Sequence, residues 1–290
     1  MTMDWNGKGL VSTEWLAANL SDPNLRIFDA TVHLTPATPG PYTIESGLAD
    51  YEKAHVPGAA FIDLFRDLSN ADAPLPFTKP SDDQIAGAFG AVGIQKDNRV
   101  VIYSTTTPMW ATRVWWMLRA SGFTEVAVLD GGFSKWTAEK RPLETQSNTY
   151  PAAALKLLPR GNAWADKQMV HSAIDDSAIC TINALSPGVF SGTSSTSYGR
   201  KGHITGSVNV PYASMLNEDG TYRNEGELRS LFAASGALNQ PHVICYCGGG
   251  ISATMDALAL TLLGHRSVAV YDGSMSEWCQ DSELPMETSP

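Results

Sequence analysis

The chain has 290 residues, of which 43% are hydrophobic and 17% charged, a balance that describes a compact globular protein rather than a disordered one and allows one large domain or two ordinary ones. A formal net charge of −10 argues against nucleic acid or an anionic membrane as the main partner, because both bind positive surfaces. No apolar run is long enough to cross a bilayer.

The N-terminal stretch "MTMDWNGKGLVSTEW" lacks a charged region leading into an apolar one, so it does not read as a signal peptide. Ser12 or Thr13 then caps a short amphipathic helix, "STEWLAANL". "LRIFDA" (25–30) and "RVVIYS" (99–104) are apolar runs ending at turn residues, as expected of strands buried on both faces. "ATRVWWMLRASG" (111–122) is a helix closing at a glycine, and "VAVLDGG" (126–132) is another strand.

From residue 179 onward the same order recurs. "ICTINA" pairs with "LRIFDA" at an offset of 183 − 29 = 154, and "HITGSVNVP" with "HVPGAAFID" at 203 − 55 = 148. "HVICYCGGGISATM" pairs with "RVVIYSTTTPMWATR" at 243 − 101 = 142, and "VYDGSMSEW" with "VLDGGFSKW" at 272 − 130 = 142. Even "LPMET" at the end echoes "RPLET" at 141–145. So long a period indicates two domains of one fold rather than a solenoid. The expected limits are 8–145 for the first domain, 146–162 for a linker and 163–290 for the second. Strands alternating with helices place each in the α/β class, a mainly parallel sheet flanked by helices.

Cys247 stands where a strand ends and a helix begins, in "VICYCGGGISATMDALAL" (243–260), with three glycines behind it. Ligands of parallel sheets sit at this end of the strands. Consecutive amides of Gly248, Gly249, Gly250, Ile251 and Ser252 can form an anion-binding concavity there, helped by the positive end of the helix dipole. Glycines permit positive φ and leave the backbone bare for close approach. A thiol so placed favours its thiolate. A cysteine phosphatase would need an arginine six residues after the nucleophile to clamp phosphoryl oxygens, and that position is Ala253. Sulfur transfer through a persulfide fits better.

With these motifs together, the chain resembles the tandem-domain rhodanese-type sulfurtransferases, the family of thiosulfate and 3-mercaptopyruvate sulfurtransferases. The resemblance implies two rhodanese-like domains, the first non-catalytic with Thr105 in the place of Cys247 (247 − 105 = 142), and the second catalytic. It further implies that Cys247 accepts a sulfane sulfur from thiosulfate or 3-mercaptopyruvate, releasing sulfite or pyruvate, and passes it to a thiol or cyanide. No metal or other cofactor is implied, and the partners are small molecules, with neither nucleic acid nor membrane. Members preferring thiosulfate resemble "CRKG" at the loop, and those preferring mercaptopyruvate resemble "CGSG". The "CGGG" here leans slightly to mercaptopyruvate. Val189 stands where the mercaptopyruvate group has an arginine, which leaves Arg200 or Lys201 to grip an anionic donor. The missing family residues also motivate an alternative, a persulfide carrier or regulatory module with little turnover of free donors.

The remaining candidates carry structural readings beside functional ones. Cys245 reads as a buried strand cysteine, and Cys180 and Cys279 as packing or surface thiols. His55 and His203 occupy matching H-x-x-G turns, where the ring bonds nearby backbone or, for His55, faces a cleft. Trp136 and Trp278 read as core. Arg113 either faces a cleft or forms a helix-surface ion pair. Four cysteines without disulfide spacing point to a reducing, cytoplasmic setting.

Overall fold

The computed structural model describes residues 5, 9–35 and 42–289; residue 8, the expected start of the first domain, and most of the stretch before it lie outside them. Two five-stranded parallel sheets organise the chain. The first contains β1 (Leu10–Val11), β2 (Leu25–Asp29), β3 (Ala60–Phe61), β4 (Arg99–Tyr103) and β5 (Val126–Leu129), in the order β1-β5-β4-β2-β3. The second contains β6 (Trp164–Ala165), β7 (Ile179–Asn183), β8 (Val208–Asn209), β9 (His242–Tyr246) and β10 (Val268–Tyr271), in the order β6-β10-β9-β7-β8. Adding five to each label of the first sheet reproduces the second, so the sequence repeat is a repeat of topology. The central strands are buried along almost their whole length, which is why they read as unbroken apolar runs. Ser12, not Thr13, caps the first helix, Thr13–Asn19, its Oγ accepting from the Trp15 amide at 3.1 Å.

The chain divides into two compact units, the first comprising 1–71, 79–159 and 218–221, the second 72–78, 160–217 and 222–290. The expected linker is therefore mostly part of the first unit. Tyr150 donates its hydroxyl to Gly58 O at 2.7 Å, and the amides of Ala153 and Leu158 donate to Gly90 O and Ser121 O at 2.8 and 3.0 Å. A side chain on Gly90 would lie 2.3 Å from Ala153 O, so that glycine makes room for the crossing segment.

The echoed sequence motifs correspond to repeated contacts. Val56 N–H and Ile204 N–H donate to the hydroxyls of Tyr103 and Tyr246, at 3.2 and 3.1 Å. The buried indoles of Trp136 and Trp278 donate to Pro142 O and Pro285 O, at 2.8 and 3.2 Å. Gly58 N–H and Gly206 N–H donate to the carboxylates of Glu144 and Glu287, at 2.7 and 3.0 Å. This last pair explains why "RPLET" and "LPMET" match: each glutamate closes the H-x-x-G turn of its own copy.

One repeated position differs in charge. Asp29 and Asn183 both end the second strand of their sheets, and each side-chain oxygen accepts a backbone amide two residues on, from Thr31 at 2.9 Å and Leu185 at 2.8 Å. Asp29 is fully buried, and burial pushes its carboxyl up to about 6, against the opposing pull of its bonds to Thr31. Its pKa is raised on folding, so its stabilising contribution is complete below the unfolded value near 3.8 and is lost as pH rises through about 6. Asp29→Asn, which copies the second unit, should therefore stabilise the protein by roughly 1–3 kcal/mol at pH 8 and make little difference at pH 4. Urea unfolding at the two pH values measures this; an equal effect at both would mean that burial of charge is not the cause.

Candidate active site

Cys247 follows the last residue of β9 and is 2% exposed. Its amide donates to Ser274 Oγ at 3.1 Å, and Ser274 in turn donates to Tyr271 O at 2.7 Å. The carbonyls of Cys247 and Gly248 turn the other way and accept from Met275 N–H and Ser276 N–H, at 3.1 and 2.8 Å. With those carbonyls directed into the short helix Ser274–Trp278, the amides of Gly248, Gly249, Ile251 and Ser252 donate to no acceptor among the described residues. They precede the helix Ala253–Leu262, whose N-terminal end adds positive potential. Bare amides beside a sulfur, in a largely buried setting, suit an anion that arrives from outside.

The three glycines have different reasons to be glycine. Gly250 has φ +74°, and a β-carbon there would lie 2.5 Å from Asp272 O. At Gly248 a β-carbon would lie 2.1 Å from the hydroxyl oxygen of Tyr198. Gly249 faces open space, its nearest neighbour being Ser276 Oγ at 4.0 Å.

Beneath the loop lies Asp256, fully buried on the helix Ala253–Leu262, with neither carboxyl oxygen hydrogen-bonded. Burial first, and the Cys247 sulfur second, push it well above the usual carboxylate range. Both effects disfavour the carboxylate, a charge that would oppose the positive end of the helix. Cys245 is also fully buried, its thiol pushed up by burial first and then by Asp256 and the neighbouring sulfurs, which bears out its reading as a packed strand cysteine. Burial raises Cys180 to about 11 and lifts Cys279 as well. All four cysteines are unpaired.

Several expectations require correction. Strand register pairs Asp29 with Tyr103 and Asn183 with Tyr246, and Phe133 N–H bonds Ser104 O as Met275 N–H bonds Cys247 O. Ser104 rather than Thr105 is thus the counterpart of Cys247. The first unit's loop is one residue longer before the matching helix threonines, 112 − 104 = 8 against 254 − 247 = 7, which shifts the sequence offset past the strand. A hydroxyl still replaces the thiol. Arg113, allowed for as a helix-surface ion pair, is fully buried in the helix Met109–Ala120. Arg200, expected to grip the donor, uses Nη1 to bond Asp281 O and Leu284 O at 3.0 and 2.8 Å, tying its loop to the C-terminal tail. Lys201 is exposed. Arg200→Ala should accordingly lower stability by about 1–2 kcal/mol, from two lost hydrogen bonds, as read by thermal unfolding. A large rise in donor KM with unchanged stability would restore the donor-gripping role.

The histidines follow their structural reading. His55 bonds Tyr51 O and Gln146 O through its two ring nitrogens, at 2.6 and 3.2 Å, and stacks on Tyr51. His203 bonds Phe190 O at 2.7 Å and Glu287 at 3.2 Å, and stacks on Phe190.

Sequence reasoning missed Ser274. It has φ +47°, a left-handed conformation unusual for serine, at the position where the first unit has Gly132 with φ +56°. The signal was present in "DGGFSKW" against "DGSMSEW": a glycine that the backbone favours has become a serine, whose hydroxyl now holds the amide of Cys247. Among the described residues no group of three or more His, Cys, Asp or Glu side chains could hold a metal ion, and no helix is long and apolar enough to cross a membrane.

The family model described as the rhodanese-like domain matches residues 12–139 and 183–281. The thiosulfate sulfurtransferase of Rattus norvegicus is 34% identical over 97% of this chain and 94% of its own length. The 3-mercaptopyruvate sulfurtransferase of Escherichia coli (strain K12) is 30% identical over 96% of this chain and 97% of its own. Among solved structures, SseA from Escherichia coli, described with the 3-mercaptopyruvate sulfotransferases, superposes with a TM-score of 0.80 at 29% identity, covering 93% of this chain and 98% of that one. Two parallel α/β units with a cysteine at the loop of the second define a tandem rhodanese. The chain belongs to the rhodanese-type sulfurtransferase family.

Proposed function

We propose that this protein moves a sulfane sulfur through a persulfide on Cys247, with 3-mercaptopyruvate as its preferred donor. The observation that carries the reading is the set of amides from Gly248, Gly249, Ile251 and Ser252 without acceptors around Cys247, while the neighbouring carbonyls are tied back. The Cys247 thiolate attacks the donor's outer sulfur; an S–S bond forms, and the donor's bond to that sulfur breaks with its electron pair. That pair leaves as sulfite from thiosulfate, or as the enolate of pyruvate from mercaptopyruvate. The terminal sulfur, held by the amides, is then attacked by a thiol or cyanide and the thiolate is restored. The preference for mercaptopyruvate rests on the loop itself, where three glycines carry no basic side chain to attract a dianion. Four unpaired cysteines favour a reducing, cytoplasmic setting.

Initial rates of thiocyanate formation from each donor, with cyanide as acceptor, test the reading. Ping-pong kinetics and a higher kcat/KM for mercaptopyruvate are expected. A chain that gains one sulfur atom by intact mass but turns over neither donor would instead be a persulfide carrier, the second reading that the absent basic residues support.

A further inference from the structure

Position 248 follows the reacting sulfur directly, and its side-chain volume is already filled. A β-carbon on Gly248 would stand 2.1, 2.2 and 2.4 Å from Oη, Cζ and Cε1 of Tyr198. The phenol end of that half-buried tyrosine therefore lies against the Cα of Gly248, one residue from Cys247. Its approach is fixed from the C-terminal side. Arg200, two residues on, is bound to Asp281 O and Leu284 O, and Gly199 between them turns at φ +114°. At position 249, by contrast, no side chain fills the space and only the Ser276 hydroxyl comes near. The rim of the loop thus presents hydroxyls delivered by other segments, where a side chain at 248 or 249 would otherwise stand.

A phenol and an alcohol are uncharged at neutral pH and can each donate one directed hydrogen bond. Such a rim favours a donor with a carbonyl oxygen near its sulfur over a compact dianion, which draws its binding from cations. We propose that Tyr198 is a donor-specificity residue, whose hydroxyl bonds the keto oxygen of an α-keto thiol while its ring keeps position 248 clear of any side chain. The proposal rests on the sulfur-transfer reading of Cys247. It also gives Arg200 a purpose at one remove, since the bonds to the tail hold the segment that carries Tyr198.

Tyr198→Phe removes the hydroxyl and leaves the ring on Gly248. Its kcat/KM for 3-mercaptopyruvate should fall about tenfold, the effect of one lost hydrogen bond, while that for thiosulfate stays within about twofold. A merely structural tyrosine would change both donors alike or neither, and either result overturns the proposal. Turnover of neither donor by the unsubstituted protein is the separate outcome that sinks the sulfur-transfer reading and this proposal with it.

Discussion

Cys247→Ser is expected to abolish transfer from both donors, lowering turnover at least about 10⁴-fold. An alcohol at that position is scarcely ionised at neutral pH, and an oxygen cannot form the S–S bond on which the second half-reaction depends. The fold should survive, because the hydrogen bonds that the structure records for residue 247 are made by its backbone: its amide to Ser274 Oγ and its carbonyl to Met275 N–H. Stability should change by no more than about 1 kcal/mol, as for a conservative substitution. Thiocyanate formation measures the first effect, thermal unfolding the second, and intact mass after donor treatment shows whether a sulfur is still taken up. Substantial transfer by the serine variant would move the chemistry to another cysteine, and Cys245, its thiol pushed up by burial and by Asp256, is a poor substitute.

Gly250→Ala is the second large effect. Two separate penalties meet there, since the backbone sits at φ +74° and an added β-carbon would press on Asp272 O at 2.5 Å. A β-carbon in the left-handed region costs about 1–2 kcal/mol, and the clash with main chain adds to it because backbone cannot turn aside as a flexible side chain can. The loop must then open. Displacing the amides by about 1 Å is enough to reduce turnover on the order of 100-fold. Gly249→Ala is the matched control, facing open space with Ser276 Oγ at 4.0 Å, and should be nearly neutral in stability. Unfolding midpoints and kcat for the pair decide the matter. Equal losses at 249 and 250 would show that the loop tolerates no side chain at all, and that the left-handed turn is not the reason.

Glycines that look alike in "CGGG" are thus unlike in three dimensions. Gly250 answers to its own backbone angle, and a strand–glycine–helix pattern already hints at such a turn. Gly248 answers to Tyr198, which is fifty residues earlier in the chain (248 − 198 = 50), and no local pattern points to that. Arg200 shows the same limit. The absence of the family's arginines made it the candidate for an anion grip, yet its Nη1 bonds two carbonyls of the tail. Ser104 and Thr105 differ by a single inserted residue between strand and helix, which a sequence offset spreads silently but hydrogen-bond register locates.

The two-fold repeat, the parallel α/β units, the strand-end cysteine and its glycine loop were determined by sequence alone, because hydrophobic period, turn residues and internal echoes are local signals that survive without coordinates. Only the tertiary structure decided which groups meet at the sulfur: Ser274 under its amide, Tyr198 on its neighbour and the buried Asp256 below. These contacts join strands, loops and helices distant in sequence, and they are selected by packing and the satisfaction of buried polar groups, which no short stretch of chain encodes.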